Sequence, residues 1–138
     1  MQSRRSDWPA GIKKTRQRET VFAVLERTDE PLRVADICAR IEADGASVWL
    51  STVYRILEFF VKKGVAVKLF MPAGEPALYE LNRFRHRHYA VCVRCRKIVS
   101  MDNCPMERFI PGLADLDFRV TGHNLEIYGY CKDCDAAR

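Results

Sequence analysis

Residues 51–70, STVYRILEFFVKKGVAVKLF, hold the pattern that decides the fold of the first half of the chain. Apolar residues at helical spacing predict an amphipathic helix that Ser51 or Thr52 caps and Gly64 ends. The core-facing positions of this helix are Val53, Ile56, Leu57 and Phe60. The strand VAVKLF follows the glycine, and the segment MPAGEP joins it to ALYEL at 77–81 as a hairpin.

Two further helices are predicted before this stretch. Thr15 is the expected N-cap of a helix through TRQRETVFAVLERT (15–28), which Pro31 ends. The segment RVADICARIEAD (33–44) predicts a second helix, which Gly45 closes. Three helices followed by a hairpin is the order of a winged helix-turn-helix, although that order also occurs in folds that do not touch DNA.

The second half predicts a small α/β domain. HYAVCVRC (88–95), continuing through RKIVSM (96–101), is expected as a strand, followed by a short helix from Pro105 to about Ile110. FRVTGHNLEIYGYC (118–131) is expected to contain another strand. The non-periodic segment NRFRHRH separates the two halves. We therefore expect an α+β chain with a winged-helix domain over 1–81, a hinge over 82–88 and a small domain over 89–138, which needs a metal, a partner subunit or both.

Composition and charge narrow the classes of function. The 138 residues are 48% hydrophobic and 30% charged, which is ordinary for a globular protein. No segment has the apolar length of a membrane span or a signal peptide, so a cytoplasmic location is expected. Residues 1–18 contain six basic side chains and one acidic side chain, whereas the rest of the chain is neutral overall. A basic arm on a neutral body favours a polyanion such as nucleic acid, with a solvated tail as the alternative.

Four of the six cysteines form two CxxC pairs. The pairs are Cys92 with Cys95 and Cys131 with Cys134. In a reducing cytoplasm such thiolates favour metal over disulfides, and two pairs complete a tetrahedral zinc site. A thioredoxin-type redox pair is the alternative, but it requires a βαβ context and leaves the second pair unexplained. Cys38 is expected as a buried small hydrophobe. Cys104 is expected as a thiol in the cap region of the short helix, near metal but not a ligand.

The three histidines all lie in the cysteine-rich half, and this clustering favours metal ligation. His86 and His88 form an HxH whose side chains share one face if the backbone is extended. His123 taken alone is more typical of a hydrogen-bonded core histidine than of a metal ligand. Glu107 falls in the first turn of the predicted short helix, where the helix dipole explains an acidic residue as well as a metal does.

The outer face of the third helix is a candidate DNA-reading surface. Once the apolar face is assigned to the core, four residues remain near the helix N-terminus: Ser51, Thr52, Tyr54 and Arg55. This end of a recognition helix meets base edges and phosphates. Arg55 can bind guanine and Tyr54 a thymine methyl group or a phosphate, with a solvated face as the alternative. The residues expected on the DNA backbone and minor groove are Lys13, Lys14, Thr15 and Arg18.

Taken together, STVYRILEFFVKKGVA, YEL at 79–81, HRHYAVCVRC and GHNLEIYGYCKDC resemble the ferric uptake regulator (Fur) superfamily of bacterial metal-sensing repressors. The resemblance covers about residues 11–134. It implies a homodimer, with 89–138 as the dimerisation domain, and structural zinc (Zn2+) at the two CxxC pairs. It also implies a regulatory metal site near the hinge, built from His86, His88, Glu107 and His123.

The chain departs from this family pattern in one respect. Many members carry an unbroken histidine run before the first CxxC, which supports a further metal site. Here Arg87 and Tyr89 interrupt that run, and no histidine precedes residue 86, so the further site is expected to be absent. The CPME and VTGHNLEIYG segments resemble zinc uptake regulators (Zur). Zn2+ is therefore the expected regulatory metal, with Fe2+ or Mn2+ as alternatives, and a peroxide sensor is disfavoured.

The sequence therefore predicts a metal-dependent transcriptional repressor that senses zinc and controls metal uptake genes. Its expected partners are double-stranded operator DNA and a second copy of the chain, with no membrane and no small organic substrate. Iron or manganese sensing is the alternative within the same class. A zinc hydrolase or thiol oxidoreductase is the alternative from another class, but a hydrolase needs an open metal position and a general base. Neither is left once all four regulatory residues are ligands, so no enzyme is predicted.

Overall fold

The computed structural model describes residues 7–72, 74–84, 87–123 and 125–136. The chain divides into two compact units, Met1–Arg83 and Phe84–Arg138, which we call unit 1 and unit 2. The boundary between them lies within the 82–88 segment. Among the described residues, no helix combines the length and the apolar character that crossing a membrane requires.

Unit 1 contains three helices and a three-stranded antiparallel sheet. The helices are α1 (Arg16–Glu26), α2 (Val34–Ala43) and α3 (Leu50–Lys62). The strands are β1 (Leu32–Arg33), β2 (Ala66–Leu69) and β3 (Leu78–Leu81), in the order β1-β3-β2. Tyr79 of β3 pairs with Leu32 on one side and Lys68 on the other. This is the architecture of a winged helix-turn-helix.

Local sequence explains where the helices of unit 1 begin and end, with one correction. The Thr15 side chain caps α1 as expected by accepting a hydrogen bond from the backbone N–H of Arg18 at 3.2 Å. The predicted cap of α3 at Ser51 or Thr52 is wrong. Trp49 is the N-cap residue, and its side chain makes no capping bond. The buried face of α3, which begins at Val53, therefore stabilises this helix without a polar side-chain cap.

The core of unit 1 joins all three helices to the sheet. Val53, Leu57 and Phe60 of α3 are fully buried, as their helical spacing predicted. Tyr79 is also buried, and its hydroxyl donates a 2.5 Å hydrogen bond to Glu58 Oε1. Lys68 Nζ donates to the same carboxylate oxygen at 2.7 Å. The Glu58 carboxylate therefore links α3 to both β2 and β3, the two strands of the hairpin that we call the wing.

Unit 2 is a mixed three-stranded sheet with short helices. The strands are β4 (His88–Cys92), β5 (Ile98–Met101) and β6 (Glu126–Gly129), in the order β5-β4-β6. β5 is antiparallel to β4, and β6 is parallel to it. The helical segments are a 3₁₀ helix (Pro105–Arg108), α4 (Ile110–Ala114) and α5 (Lys132–Ala136).

Several predictions for unit 2 were wrong in detail. The expected single strand over 88–101 is a hairpin, because the chain reverses after Cys92. Arg96 adopts a left-handed backbone conformation (φ 66°) in the turn and donates its N–H to the Cys92 carbonyl at 2.9 Å. The helix expected to end near Ile110 is followed by α4, since Pro111 fits a first helical turn. Helix α5 was not predicted.

The described part of unit 2 has a small core. Its buried residues are His88, Tyr89, Val91, Cys92 and Cys104. Helix α4 buries none of its residues. A core of this size contributes little hydrophobic stabilisation, so unit 2 depends on further interactions for its stability.

Candidate metal centres and nucleic-acid interface

Two turns of unit 2 bring four cysteines together, and we call this cluster the four-cysteine site. Cys92 ends β4, and Cys95 lies in the turn after that strand. Cys131 directly precedes α5, and Cys134 lies within this helix. The four sulfur atoms all lie within 4.8 Å of one another, and those of Cys95 and Cys131 are 3.6 Å apart. A tetrahedral zinc with bonds of about 2.3 Å separates its sulfur ligands by about 3.8 Å. The cluster therefore has the size of a zinc site.

The backbone around the four-cysteine site favours negative charge at one of its sulfur atoms. Hydrogen bonds from the backbone N–H groups of Cys95 and Cys131 lower the pKa of the Cys92 thiol. Burial and hydrogen bonding to the neighbouring thiols raise the pKa of Cys134. A thiolate is the form that binds metal, so a divalent cation would stabilise the charged form of all four cysteines.

A second cluster forms where three separate segments of unit 2 meet, and we call it the His-Cys cluster. His88 begins β4, Cys104 precedes the 3₁₀ helix and His123 lies in the loop before β6. The Nε2 atoms of His88 and His123 are 3.2 Å apart, and each lies 3.2 Å from the Cys104 sulfur. His88 and Cys104 are buried and His123 is half-buried.

Hydrogen bonds alone do not account for the three contacts of the His-Cys cluster. Each imidazole Nε2 either carries one proton or offers one lone pair, so it cannot donate and accept at once. If all three contacts were hydrogen bonds, the thiol would donate to one imidazole and accept from the other, one Nε2 would share its single proton between two acceptors, and the other would accept two hydrogens with one lone pair. A cation between the three atoms satisfies all of them at once, which is the arrangement of a metal site.

The structure unites only part of the predicted regulatory set. His88 and His123 converge, but His86 lies outside the described residues, and so does the side chain of Glu107. Cys104 joins the cluster although the sequence indicated a non-ligand. Cys104 was expected only near the metal because, outside a CxxC pair, its place before the short helix is equally that of a thiol in the helix cap region. The sequence did contain one signal that Cys104 could lie at the metal, since it precedes Glu107, an expected ligand, by three residues.

The first turns of α3 form the candidate nucleic-acid interface. Ser51, Tyr54 and Arg55 are exposed and Thr52 is half-buried. Trp49 and Leu50, which were not singled out from the sequence, are exposed at the same end of the helix, with 82% of Trp49 accessible. This end of α3 therefore presents polar, cationic and aromatic groups together.

The basic segment before α1 has internal contacts that limit its freedom. Lys13 is exposed, whereas Lys14 Nζ lies 3.3 Å from a carboxylate oxygen of Glu19. Arg18 donates to the Lys13 carbonyl at 2.9 Å, and its guanidinium lies 4.2 Å from the centre of the Phe59 ring. Arg18 thus contributes to the packing of unit 1, as Thr15 does by capping α1.

Most of the chain matches one known protein family. The model of the ferric uptake regulator family matches residues 9–128. A ferric uptake regulation protein of Neisseria gonorrhoeae is 29% identical over 129 residues, which cover 92% of this chain and 89% of that protein.

Solved structures give the same similarity in three dimensions. The ferric uptake regulator of Francisella tularensis with iron superposes with a TM-score of 0.81 at 26% identity, covering 94% of this chain and 99% of that one. FurB of Mycobacterium tuberculosis, described as a zinc uptake regulator, superposes with a TM-score of 0.53 at 28% identity. This match covers 91% of this chain and 97% of FurB.

Proposed function

Because the chain belongs to the ferric uptake regulator family of metal-dependent transcription regulators, we propose that it is a zinc-responsive repressor that binds operator DNA as a homodimer. Family membership removes the enzyme alternative, since these proteins regulate transcription and are neither hydrolases nor thiol oxidoreductases. The observation that carries the proposal is the convergence of His88 and His123 in a unit separate from the exposed face of α3.

The four-cysteine site is the proposed structural zinc centre. The four thiol groups come from two elements far apart in sequence, and a backbone hydrogen bond from Val93 to the Gly129 carbonyl, 2.9 Å long, lies beside them. A shared ion would hold the β4 turn against the start of α5. Because the core of unit 2 is small, the free energy of zinc binding is free energy of folding here.

The apolar surface of unit 2 supports the proposed dimer. Its exposed large apolar side chains include Phe109, Leu113, Leu116, Phe118, Tyr128 and Tyr130. Helix α4 contributes Leu113, follows directly after Phe109, and buries nothing within its own chain. A concentration of exposed large apolar side chains in one unit favours a protein–protein interface, and a second copy of the chain would cover them.

The regulatory metal is proposed to act on the segment that joins the two units. His88 begins β4 directly after that segment, whereas His123 lies in the loop before β6. Sharing one ion, the two imidazoles would anchor the end of the joining segment to the sheet. We propose that His86 and Glu107 complete the site. The anchored form would favour arrangements in which two recognition helices match two half-sites on DNA.

The proposed reading surface is the first turns of α3, through Ser51, Thr52, Tyr54 and Arg55, and the basic segment is proposed to contact phosphates through Lys13 and Lys14. Zinc is preferred over iron and manganese because the CPME and VTGHNLEIYG segments resemble zinc uptake regulators. The similarity to FurB supports the same choice, whereas the relatives named for iron support the alternative.

The experiment selects operator DNA from a random library with zinc present and then measures its retardation across free zinc, iron(II) and manganese(II) concentrations. We expect binding to respond to zinc at the lowest free concentration and to be lost on chelation. The variant His123→Ala should lose this response but keep the zinc of the four-cysteine site and the dimer. Binding that is equal with and without metal, or a His123→Ala variant that responds as the wild type does, would overturn the proposal.

A further inference from the structure

We propose that Cys104 is a direct thiolate ligand of the regulatory metal, in a centre that takes two nitrogen ligands from His88 and His123 and one sulfur ligand from Cys104. The inference rests on the proposed function and names the class of metal that its sensing site takes. That class is the thiolate-preferring divalent ions, with zinc as the physiological member and cobalt(II) or cadmium(II) as substitutes, rather than manganese(II) or iron(II).

The size of the His-Cys cluster matches a single ion. Zinc bonds of about 2.0 Å to nitrogen and about 2.3 Å to sulfur place neighbouring ligands of a tetrahedron about 3.3–3.6 Å apart. The three separations here are each 3.2 Å. One ion can therefore lie at bonding distance from both Nε2 atoms and the sulfur. Cys104 then takes one of the two positions proposed above for His86 and Glu107, and the other position of the tetrahedron is left for one of those two residues.

The backbone at Cys104 holds the sulfur in this place. Cys104 adopts an extended conformation (φ −83°, ψ 117°), which the following Pro105 favours because its ring disfavours a helical residue before it. The thiol makes no capping bond to the 3₁₀ helix, and only 7% of the residue is exposed. Its sulfur contacts the two imidazole nitrogens instead.

Cys38 shows what a cysteine that serves only packing looks like in the same chain. It lies on α2, partly buried against the apolar core of unit 1. Within the described residues, Cys104 belongs to a cluster of metal-ligating groups and Cys38 does not. The difference in neighbours, apolar side chains for Cys38 and imidazole nitrogens for Cys104, separates the packing role from the ligand role.

A thiolate changes which metal the site prefers. Sulfur ligands favour zinc and other soft or borderline ions, whereas manganese(II) prefers carboxylate, carbonyl and water oxygens. Two imidazoles alone distinguish poorly among zinc, iron and nickel. Cys104 is therefore the group that selects the metal, while the two histidines, which come from the other two segments, position it.

The first experiment uses cobalt(II) as a spectroscopic probe. The full-length dimer, loaded with one zinc per chain at the four-cysteine site, is titrated with one equivalent of cobalt while retained zinc is measured by mass spectrometry. We expect tetrahedral ligand-field bands together with a near-ultraviolet sulfur-to-cobalt charge-transfer band. Cys104→Ser should lose the charge-transfer band, and the matched control Cys38→Ser should keep it. A wild-type spectrum without this band, or a Cys104→Ser spectrum that retains it with zinc still in place, overturns the inference.

A second variant covers the case in which Cys104→Ser fails to fold. Cys104→Asp supplies an oxygen ligand at the same position. We expect its affinity for zinc at this site to fall at least about tenfold and its affinity for manganese to change less or to rise. If the affinities for zinc and manganese change by the same factor, or if neither affinity changes, the result contradicts a bond between the Cys104 thiolate and the metal.

The two proposals fail in different ways. If operator binding depends on zinc identically in the wild type and in Cys104→Ser, the thiolate inference is wrong and the proposed function stands. If the charge-transfer band forms in the wild type and is lost in Cys104→Ser, but operator binding does not depend on metal, the proposed function is wrong. The inference of a thiolate-bound metal centre then stands.

Discussion

The Cys92 sulfur lies where strand β4 ends and the turn toward β5 begins, beside the three other thiols of the four-cysteine site. Cys92→Ser removes one thiolate of the proposed tetrahedron, and unit 2 has little core to compensate for the loss. We expect the variant to lose one zinc per chain, to lose much of the circular dichroism of unit 2 and to become monomeric in analytical ultracentrifugation.

The control for this prediction is Cys38→Ser, which removes a thiol from unit 1. It should retain zinc and the dimer. A Cys92→Ser protein that stays dimeric and cooperatively folded without zinc would mean that the four-cysteine site does not hold unit 2 together.

Arg55 and Lys13 are exposed on different parts of unit 1, and we expect them to serve different DNA contacts. Arg55→Ala should weaken binding to the selected operator by about 1–3 kcal/mol and binding to random DNA by much less. Lys13→Ala should weaken both nearly equally and reduce the salt dependence of binding by about one unit. Retardation assays across salt concentrations measure both effects. Identical losses that do not depend on DNA sequence would show that α3 is not the recognition helix.

At the scale of elements, the Glu58 carboxylate links α3 to the wing through Lys68 and Tyr79. These hydrogen bonds lower the pKa of Glu58, the larger effect coming from Lys68. A lowered pKa means that the ionised carboxylate stabilises the fold above the unfolded value of about 4.3 and that this stabilisation is lost as pH falls through the folded value.

Glu58→Gln should therefore lower the free energy of unfolding by about 0.5–1 kcal/mol at neutral pH, a modest figure because the side chain is half exposed. The difference from the wild type should vanish in acid. Denaturant unfolding at a series of pH values measures it, with the exposed Glu42→Gln on α2 as the control. A difference that persists unchanged in acid would show that the charge of Glu58 is not its cause.

The helices and the wing of unit 1 were predictable because their apolar residues recur at regular spacing. Val53, Leu57 and Phe60 could be assigned to the core from the sequence alone. β1 was not predictable, since two residues carry no periodicity. The reversal after Cys92 was missed because its turn depends on a left-handed Arg96, where a glycine would have marked the turn.

At the scale of the whole molecule, the two units expose different chemical groups, and this difference is the basis of their proposed roles in DNA binding and metal binding. Unit 1 presents a polar and cationic helix face, and unit 2 presents two clusters of metal-ligating groups and an apolar surface. The four-cysteine site could be predicted from sequence because ligand spacing within each CxxC is local. The His-Cys cluster could be predicted only in part, because Cys104 meets the histidines through the tertiary fold.

The central claim is that metal binding in unit 2 and DNA binding by unit 1 are coupled. Binding free energies couple reciprocally, so zinc must raise operator affinity by the same factor by which operator DNA raises zinc affinity. The decisive experiment measures all four affinities of this thermodynamic cycle. They are the operator affinity with and without zinc at the regulatory site, and the zinc affinity of that site with and without operator DNA. We predict equal factors, within the range of about 5- to 150-fold that is typical of such coupling. Operator affinity that is the same in the presence and absence of zinc would contradict the account.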